Sequence, residues 1–253
     1  MSSGRSSRGK WSTIKHKKAA TDAKRGRIYT RLVKEIILAA KNGGGDTETN
    51  PRLRTAINSA KAENMPKDNI ERAIKRGTGE IEGASYEELT YEGYGHNGVG
   101  IVIDVMTDNR NRTVAELRHT LSKYGGNMAE NGAVSWNFEQ KGYFRVPATG
   151  LDEDEFMMQA LEAGASDVEL DEDYFDIYTE AADFHIVLSA VEALGFPVEG
   201  AELTRIPKTT VNADEVAPKL LRLIEMLEDL DDVQKVYANF DISDEVLEQL
   251  NKE

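Results

Sequence analysis

The hydrophobic positions near the start of the chain recur with a helical period. Over residues 21–41, isoleucine, leucine, valine and tyrosine return every three to four positions, which predicts an amphipathic helix that the glycines at 43–45 end. Asn50-Pro51 predicts the start of a second helix, because asparagine caps well and proline suits the first helical position. Met65-Pro66 predicts the start of a third helix, which Gly77 ends.

Beyond residue 80 the pattern changes to strands that alternate with helices. The run GIVIDVM within 98–107 is rich in β-branched residues and predicts a central strand paired with 88–94. Two segments share one predicted order of elements, a helix, a turn and a strand: FHIVLSAVEALGFPVEGAELTRI and APKLLRLIEMLEDLDDVQKVYANFDI. We expect two sheets of similar plan, each with two helices on one face. Further strands are predicted near 133–139, 142–147, 168–179 and 208–211.

These elements predict a multidomain fold of α and α+β units. It has an N-terminal three-helix bundle followed by two ferredoxin-like α/β sandwich domains. The last helix and strand lack partners of their own, so we expect them to return to the middle domain and leave the other sandwich inserted. The expected units are a flexible basic arm at 1–20, a helical nucleic-acid-binding domain at 21–80, a middle domain at 81–132 plus 207–243, and an inserted domain at 133–206.

The charge of the chain is divided between its two ends. Residues 1–80 hold 19 lysines and arginines against 8 acidic residues, whereas the whole chain has a net charge of −14. So much positive charge at one end favours contact with a phosphate backbone. The alternative without a binding function is a solubilising tail and solvated helix faces. The arm and the helices carry charge of the same sign, which favours binding. The candidate nucleic-acid-binding residues are Lys10, Trp11, Lys15, Lys17, Lys18, Lys24, Arg25, Arg27, Arg31, Lys34, Lys67, Arg72, Lys75 and Arg76.

The acidic remainder offers no catalytic signature. The sequence has no Walker A motif, no H-E-x-x-H and no G-x-S-x-G, and its four histidines are scattered. The acidic clusters, including the one at 225–232, are interpreted as solvated surface. We therefore expect no enzyme activity, no cofactor, no metal and no small-molecule substrate. The absence of cysteine fits a reducing cytoplasm, and no apolar run approaches a membrane span.

Six segments resemble the YebC family in the same order along the chain. They are KWSTIKHKKAATDAKRGRIYTRLVKEI (10–36), ENMPKDNIERAIKRGTG (63–79), YEGYG (91–95), TDNRNRT (107–113), GGNMAENGAVSWNF (125–138) and AELTRIPKTTV (201–211). The resemblance implies a helical domain followed by two α/β domains, the last inserted in the middle one. It also implies interaction residues within 10–31 and 66–76.

The resemblance implies nucleic-acid binding but leaves its kind open. Family members are described as probable transcriptional regulators that bind DNA, while mitochondrial relatives look like translational activators and some bacterial members like ribosome-associated factors. We expect a cytoplasmic transcriptional regulatory protein that binds DNA through its basic helical domain. The alternative is a translation factor that binds ribosomal RNA on the ribosome. The acidic domains would then face a protein partner or repel misplaced nucleic acid.

Overall fold

The computed structural model describes residues 22–250, with side chains from Arg25 onward, so the predicted arm at 1–20 lies outside it. Within this range the protein is a mixed α/β fold with eight α-helices and two four-stranded antiparallel sheets. The helices are α1 Asp22–Gly43, α2 Pro51–Ala62, α3 Lys67–Gly77, α4 Arg110–Lys123, α5 Glu153–Glu162, α6 Phe184–Ala193, α7 Ala217–Glu228 and α8 Asp244–Leu250. The strands are β1 Glu87–Tyr94, β2 Gly100–Thr107, β3 Asn127–Ala129, β4 Phe138–Pro147, β5 Asp167–Asp171, β6 Tyr174–Glu180, β7 Glu199–Pro207, β8 Val211–Asn212, β9 Val233–Ala238 and β10 Phe240–Asp241.

The first three helices begin and end where capping chemistry directs them. The Asn50 side chain accepts a hydrogen bond from the Leu53 N–H at 3.1 Å and donates to the carbonyl oxygens of Ala39 and Gly44, both at 2.8 Å. One buried amide therefore caps α2 and holds it against the end of α1. The three helices share one apolar core, which includes Ile36, Ile37, Ala40, Leu53, Ile57, Ile70 and Ala73.

The first sheet joins segments that lie far apart in the chain. Its strand order is β3-β1-β2-β9, and every neighbouring pair is antiparallel. Its apolar face packs against α4 and α7, where Ile101, Ile103, Leu117, Leu121, Leu220 and Leu223 are fully buried. The second sheet has the order β5-β6-β4-β7 and is formed by one continuous segment. The helices α5 and α6 contribute to its own separate core, which includes Phe144, Phe156, Phe175 and Val187.

Two strand predictions are wrong. Residues 135–137 form a turn of 3-10 helix instead of a strand, and β4 then runs without interruption from Phe138 to Pro147. The buried carboxylate of Glu92 accepts the N–H groups of Gly132, Val134 and Ser135, so those donors are unavailable to a strand partner. The strand predicted at 208–211 shrinks to β8, which pairs in parallel with β10. The segment just before β8 bonds instead to the Asn137 side chain.

Polar contacts connect the helical part to both sheet units. Arg52 of α2 binds Glu35 of α1 at 2.8 Å and also pairs with Glu88 of β1. The Thr55 hydroxyl lies 3.5 Å from Nδ1 of His185 in α6. The two sheets are joined by an ion pair between Arg205 and Asp104, whose nitrogen and oxygen are 3.1 Å apart. In the part of the chain that the structure describes, no helix is both long and apolar enough to cross a membrane.

Candidate nucleic-acid interface

The structure separates the predicted binding residues into three groups. Lys10, Trp11, Lys15, Lys17 and Lys18 lie outside the described residues, and so does the side chain of Lys24. Three basic side chains of α1, those of Arg27, Arg31 and Lys34, turn inward onto the first sheet domain, which is the first sheet with α4 and α7. The remainder are exposed. These exposed residues are Arg25, Lys67, Arg72, Lys75 and Arg76.

The basic side of α1 packs against the carboxyl end of α7. Arg27 pairs with Asp229, with 3.0 Å between the guanidinium nitrogen and the carboxylate oxygen. Arg31 donates to the backbone carbonyl of Glu228, the last residue of that helix. Burial lowers the pKa of Arg31, and the nearby Glu228 acts against that effect. The negative end of a helix dipole is a favourable place for a cation, so these contacts hold α1 against α7.

Lys34 lies deepest in this junction, with 5% of the residue exposed. Its ammonium group donates to the carboxylate of Asp232 at 3.0 Å and to the carbonyls of Asp231 at 2.8 Å and Met106 at 3.2 Å. All three protons of the ammonium are therefore used within the protein. The prediction that Lys34 lies on an open basic surface is wrong, because the helix pattern showed a polar side but not what that side faces.

Asp232 is the centre of this buried polar cluster and is 2% exposed. Besides Lys34, it accepts from Arg112 at 2.8 Å, from the Thr113 hydroxyl at 2.8 Å and from the Thr107 hydroxyl at 3.2 Å. Burial alone raises the pKa of Asp232, but the hydrogen bonds from Arg112, Lys34 and Thr113 outweigh it and lower the pKa. The interpretation of 225–232 as solvated surface is therefore wrong for Asp232, and Asp229 is engaged with Arg27.

The exposed basic residues of α3 form what we call the α3 patch, defined as Lys67, Arg72, Lys75 and Arg76. Arg72 and Arg76 lie one turn apart and, with Asn69 and Val33, line a shallow cavity of about 120 Å³. Lys67 is 87% exposed and 3.5 Å from Glu71. Within residues 25–250, Arg72, Lys75 and Arg76 form no ion pair, so their charge stays available to an external anion.

The described residues hold no group of three or more side chains arranged to bind a metal ion.

Sequence reasoning missed two features of the site. Asp232 gave no periodic signal as a partner for Lys34, because the two positions are 198 residues apart. The contact of His185 with the helical part was likewise invisible, although its environment is distinctive. Burial and the nearby Arg54 and Arg52 lower the pKa of His185.

Comparisons with known proteins cover almost the whole chain. Residues 9–80 match the model of the TACO1/YebC protein N-terminal domain, and residues 86–240 match the TACO1/YebC second and third domain. A probable transcriptional regulatory protein of Geobacter sulfurreducens is 57% identical over 242 residues, which are 95% of this chain and 98% of that protein. A similarly named protein of Desulfotalea psychrophila is 56% identical over 243 residues, covering 95% of this chain and 97% of that protein.

A solved structure agrees with these matches. The crystal structure of a conserved hypothetical protein from Aquifex aeolicus superimposes with a TM-score of 0.84 and 49% sequence identity, over 94% of this chain and 99% of that one. Both domain models and relatives of more than half identity thus point the same way. The chain belongs to the TACO1/YebC family.

Proposed function

We propose that this protein is a cytoplasmic, non-enzymatic regulator of gene expression that binds DNA through its N-terminal helical domain. Relatives of more than half identity are named probable transcriptional regulatory proteins, which supports regulation at the level of transcription. The observation that carries the binding part is the α3 patch. Its arginines are exposed and unpaired within residues 25–250, in a region of the chain with a large excess of positive charge.

The α3 patch, Arg25 and the basic residues of the arm would then contact phosphates. Arg27, Arg31 and Lys34 would make no direct contact while α1 stays docked on α7. Such a surface binds by releasing counterions, so its affinity falls steeply with salt. It positions the nucleic acid but reads little sequence, since contacts to phosphate carry no base information.

The finer fold assignment belongs to the same proposal. The second sheet unit follows the element order β-α-β-β-α-β with strand order β5-β6-β4-β7, which supports a ferredoxin-like sandwich. The first sheet domain takes its last strand from residues after the second, which supports an inserted domain at 133–206. The acidic surfaces of these two units would meet a protein partner or repel nucleic acid that approaches from the wrong side.

The test compares matched charge reversals in a quantitative binding assay. We expect the Arg72→Glu/Arg76→Glu protein to lose about tenfold or more in affinity for labelled duplex DNA near 0.1 M salt. The control is Arg118→Glu/Lys219→Glu, which reverses two exposed basic residues of the first sheet domain. Equal affinity of both variants and the parent protein would refute the α3 patch as the binding surface.

A milder pair of variants tests the role of the docked residues. Removing one bond to a phosphate makes the slope of log K against log salt shallower by about 0.9 on duplex DNA. Arg76→Gln is expected to produce a change of about that size, while Lys34→Met leaves the slope unchanged because its ammonium is already bound within the protein. Repeating both titrations with ribosomal RNA distinguishes the alternative function. Tighter, competitor-resistant binding to that RNA would favour a translation factor over a transcriptional regulator.

A further inference from the structure

Trp136 is the most exposed aromatic side chain among the large exposed hydrophobic residues of the described chain, with 66% of its surface open to solvent. It lies in the loop just before β4. Three of the segments that carry the family resemblance, at 91–95, 125–138 and 201–211, meet around this loop. None of these segments belongs to the α3 patch, so the basic surface does not explain their arrangement.

Glu92 of β1 holds the loop from beneath. The residue is 3% exposed, and its carboxylate accepts the N–H groups of Val134 at 2.8 Å and Ser135 at 2.6 Å, together with that of Gly132. Burial raises the pKa of Glu92, but these backbone hydrogen bonds outweigh it and lower the pKa. The charge therefore stays on the carboxylate and fixes the backbone of residues 132–135 next to Trp136.

Asn137 fixes the other side of the loop. Its side chain accepts the N–H and the hydroxyl of Thr209, each at 2.9 Å, and donates to the Thr209 carbonyl at 2.9 Å. The N–H of Lys208 donates to the Asn137 carbonyl at 2.7 Å. The chain passes between the two sheet domains at both of these segments, so Trp136 stands on a rigid junction and not on a free loop.

The polar group of the Trp136 ring is already used within the protein. The indole N–H donates to the Ala133 carbonyl at 3.0 Å, so its only polar group is already bonded. An external partner can then use the flat apolar surface but gains no hydrogen bond from it. Lys208 and Thr210, which are exposed beside the same junction, supply a cation and a hydroxyl. A flat ring attached to a phosphate is the partner that this combination fits.

We propose that Trp136 stacks on an unpaired base of the bound nucleic acid, with Lys208 on the adjoining phosphate. This inference rests on the proposed function and specifies it further, since bases inside a duplex are already stacked and cannot reach a surface tryptophan. The protein then holds a strand at two places. The α3 patch contacts backbone phosphates, and Trp136 recognises a single-stranded segment or a splayed base.

The chain is well suited to a direct test because it has only two tryptophans, Trp11 and Trp136. In the full-length Trp11→Phe protein all tryptophan emission comes from Trp136. We expect single-stranded RNA or DNA to quench this emission at the concentrations at which a dye-labelled strand binds by anisotropy. Fully paired duplex of the same sequence is expected to bind without quenching.

The matching variants carry the affinity measurement. Trp136→Leu is expected to weaken single-strand binding about tenfold and leave duplex binding unchanged, whereas Trp136→Phe retains most of the affinity. Ile186→Ala is the control, since Ile186 is 68% exposed and lies in the inserted segment. Far-UV circular dichroism establishes that each variant is folded.

The outcomes separate this inference from the proposed function. If strands bind by anisotropy but the emission of Trp136 stays constant and Trp136→Leu binds as tightly as the parent, the stacking role is wrong while nucleic-acid binding stands. Emission changes that depend on protein concentration without any nucleic acid also overturn it, since they indicate that Trp136 contacts a second copy of this chain. If no strand or duplex binds, both proposals fail together.

Discussion

Asp232→Asn tests whether the buried polar cluster holds the helical domain in place. The carboxylate accepts from Lys34 and Thr107 and also from Arg112 and Thr113, all within 3.2 Å in the closest contact of each pair. An asparagine amide has only one acceptor oxygen, so in either orientation its NH₂ group faces a donor. Lys34 would also be left as a buried cation without its counter-charge, whereas Arg112 keeps its ion pair with Asp108.

The expected loss is about 3–5 kcal/mol of unfolding free energy at pH 7, because one partner of a buried ion pair is removed. Asp231→Asn is the matched control. It removes the same charge at the preceding position, where the side chain is exposed and Lys34 bonds only to the backbone carbonyl. We expect the control to change stability by no more than about 0.5 kcal/mol.

Urea unfolding followed by far-UV circular dichroism measures both variants. The folded pKa of Asp232 is lowered, so its stabilising contribution is complete above the unfolded pKa of about 3.9 and disappears as the pH falls through the folded value. The difference between parent and Asp232→Asn should therefore be largest at neutral pH and shrink in strong acid. Equal stability of Asp232→Asn and Asp231→Asn at pH 7 would refute the assigned role.

Three further substitutions probe other parts of the molecule. Glu92→Gln should lower the free energy of unfolding by about 1.5–3 kcal/mol, because it removes the charge that strengthens the bonds to three N–H groups. It should also shift the emission of Trp136 in the Trp11→Phe background. Unchanged emission would argue against a fixed loop. Gly77→Ala should cost about 1–3 kcal/mol in urea unfolding because the added Cβ would lie 2.4 Å from the Ile37 carbonyl oxygen, whereas Gly26→Ala has open space and should stabilise the helix slightly. His185→Gln should flatten the pH dependence of stability below about pH 6.5. The pKa of His185 is lowered in the folded protein, so protonation favours the unfolded chain as the pH falls. An identical pH profile of unfolding midpoints in parent and variant would contradict this.

Local signals in the sequence were sufficient to place most helices. Asn50-Pro51 and Met65-Pro66 predicted two helix starts that the structure confirms, because capping and proline geometry depend only on neighbouring residues. The mixed α/β class followed from the change of hydrophobic period after residue 80. The strand predicted at 133–139 failed because a distant carboxylate, Glu92, binds its N–H groups. No local pattern records such a contact.

The candidate site was harder to predict for the same reason. A helical wheel places Arg27, Arg31 and Lys34 on one polar side of α1, and in the structure all three contact residues 228–232. It cannot show whether that side faces water or another domain. The answer depends on Asp229 and Asp232, which follow α7 near the other end of the chain and lie beside α1 only in the tertiary fold.

The excess positive charge of residues 1–80 therefore overstates the charge that an external polyanion can meet. Arg27 and Lys34 are neutralised by carboxylates of the same chain, and Arg31 is bonded to a helix end. Because phosphate binding depends on cations that are free before the complex forms, these three add stability to the domain junction and not affinity. We therefore assign the proposed interface to the α3 patch instead of α1. Arg27, Arg31 and Lys34 would contribute only if nucleic acid separated α1 from α7. The desolvated Lys34–Asp232 pair makes that separation costly.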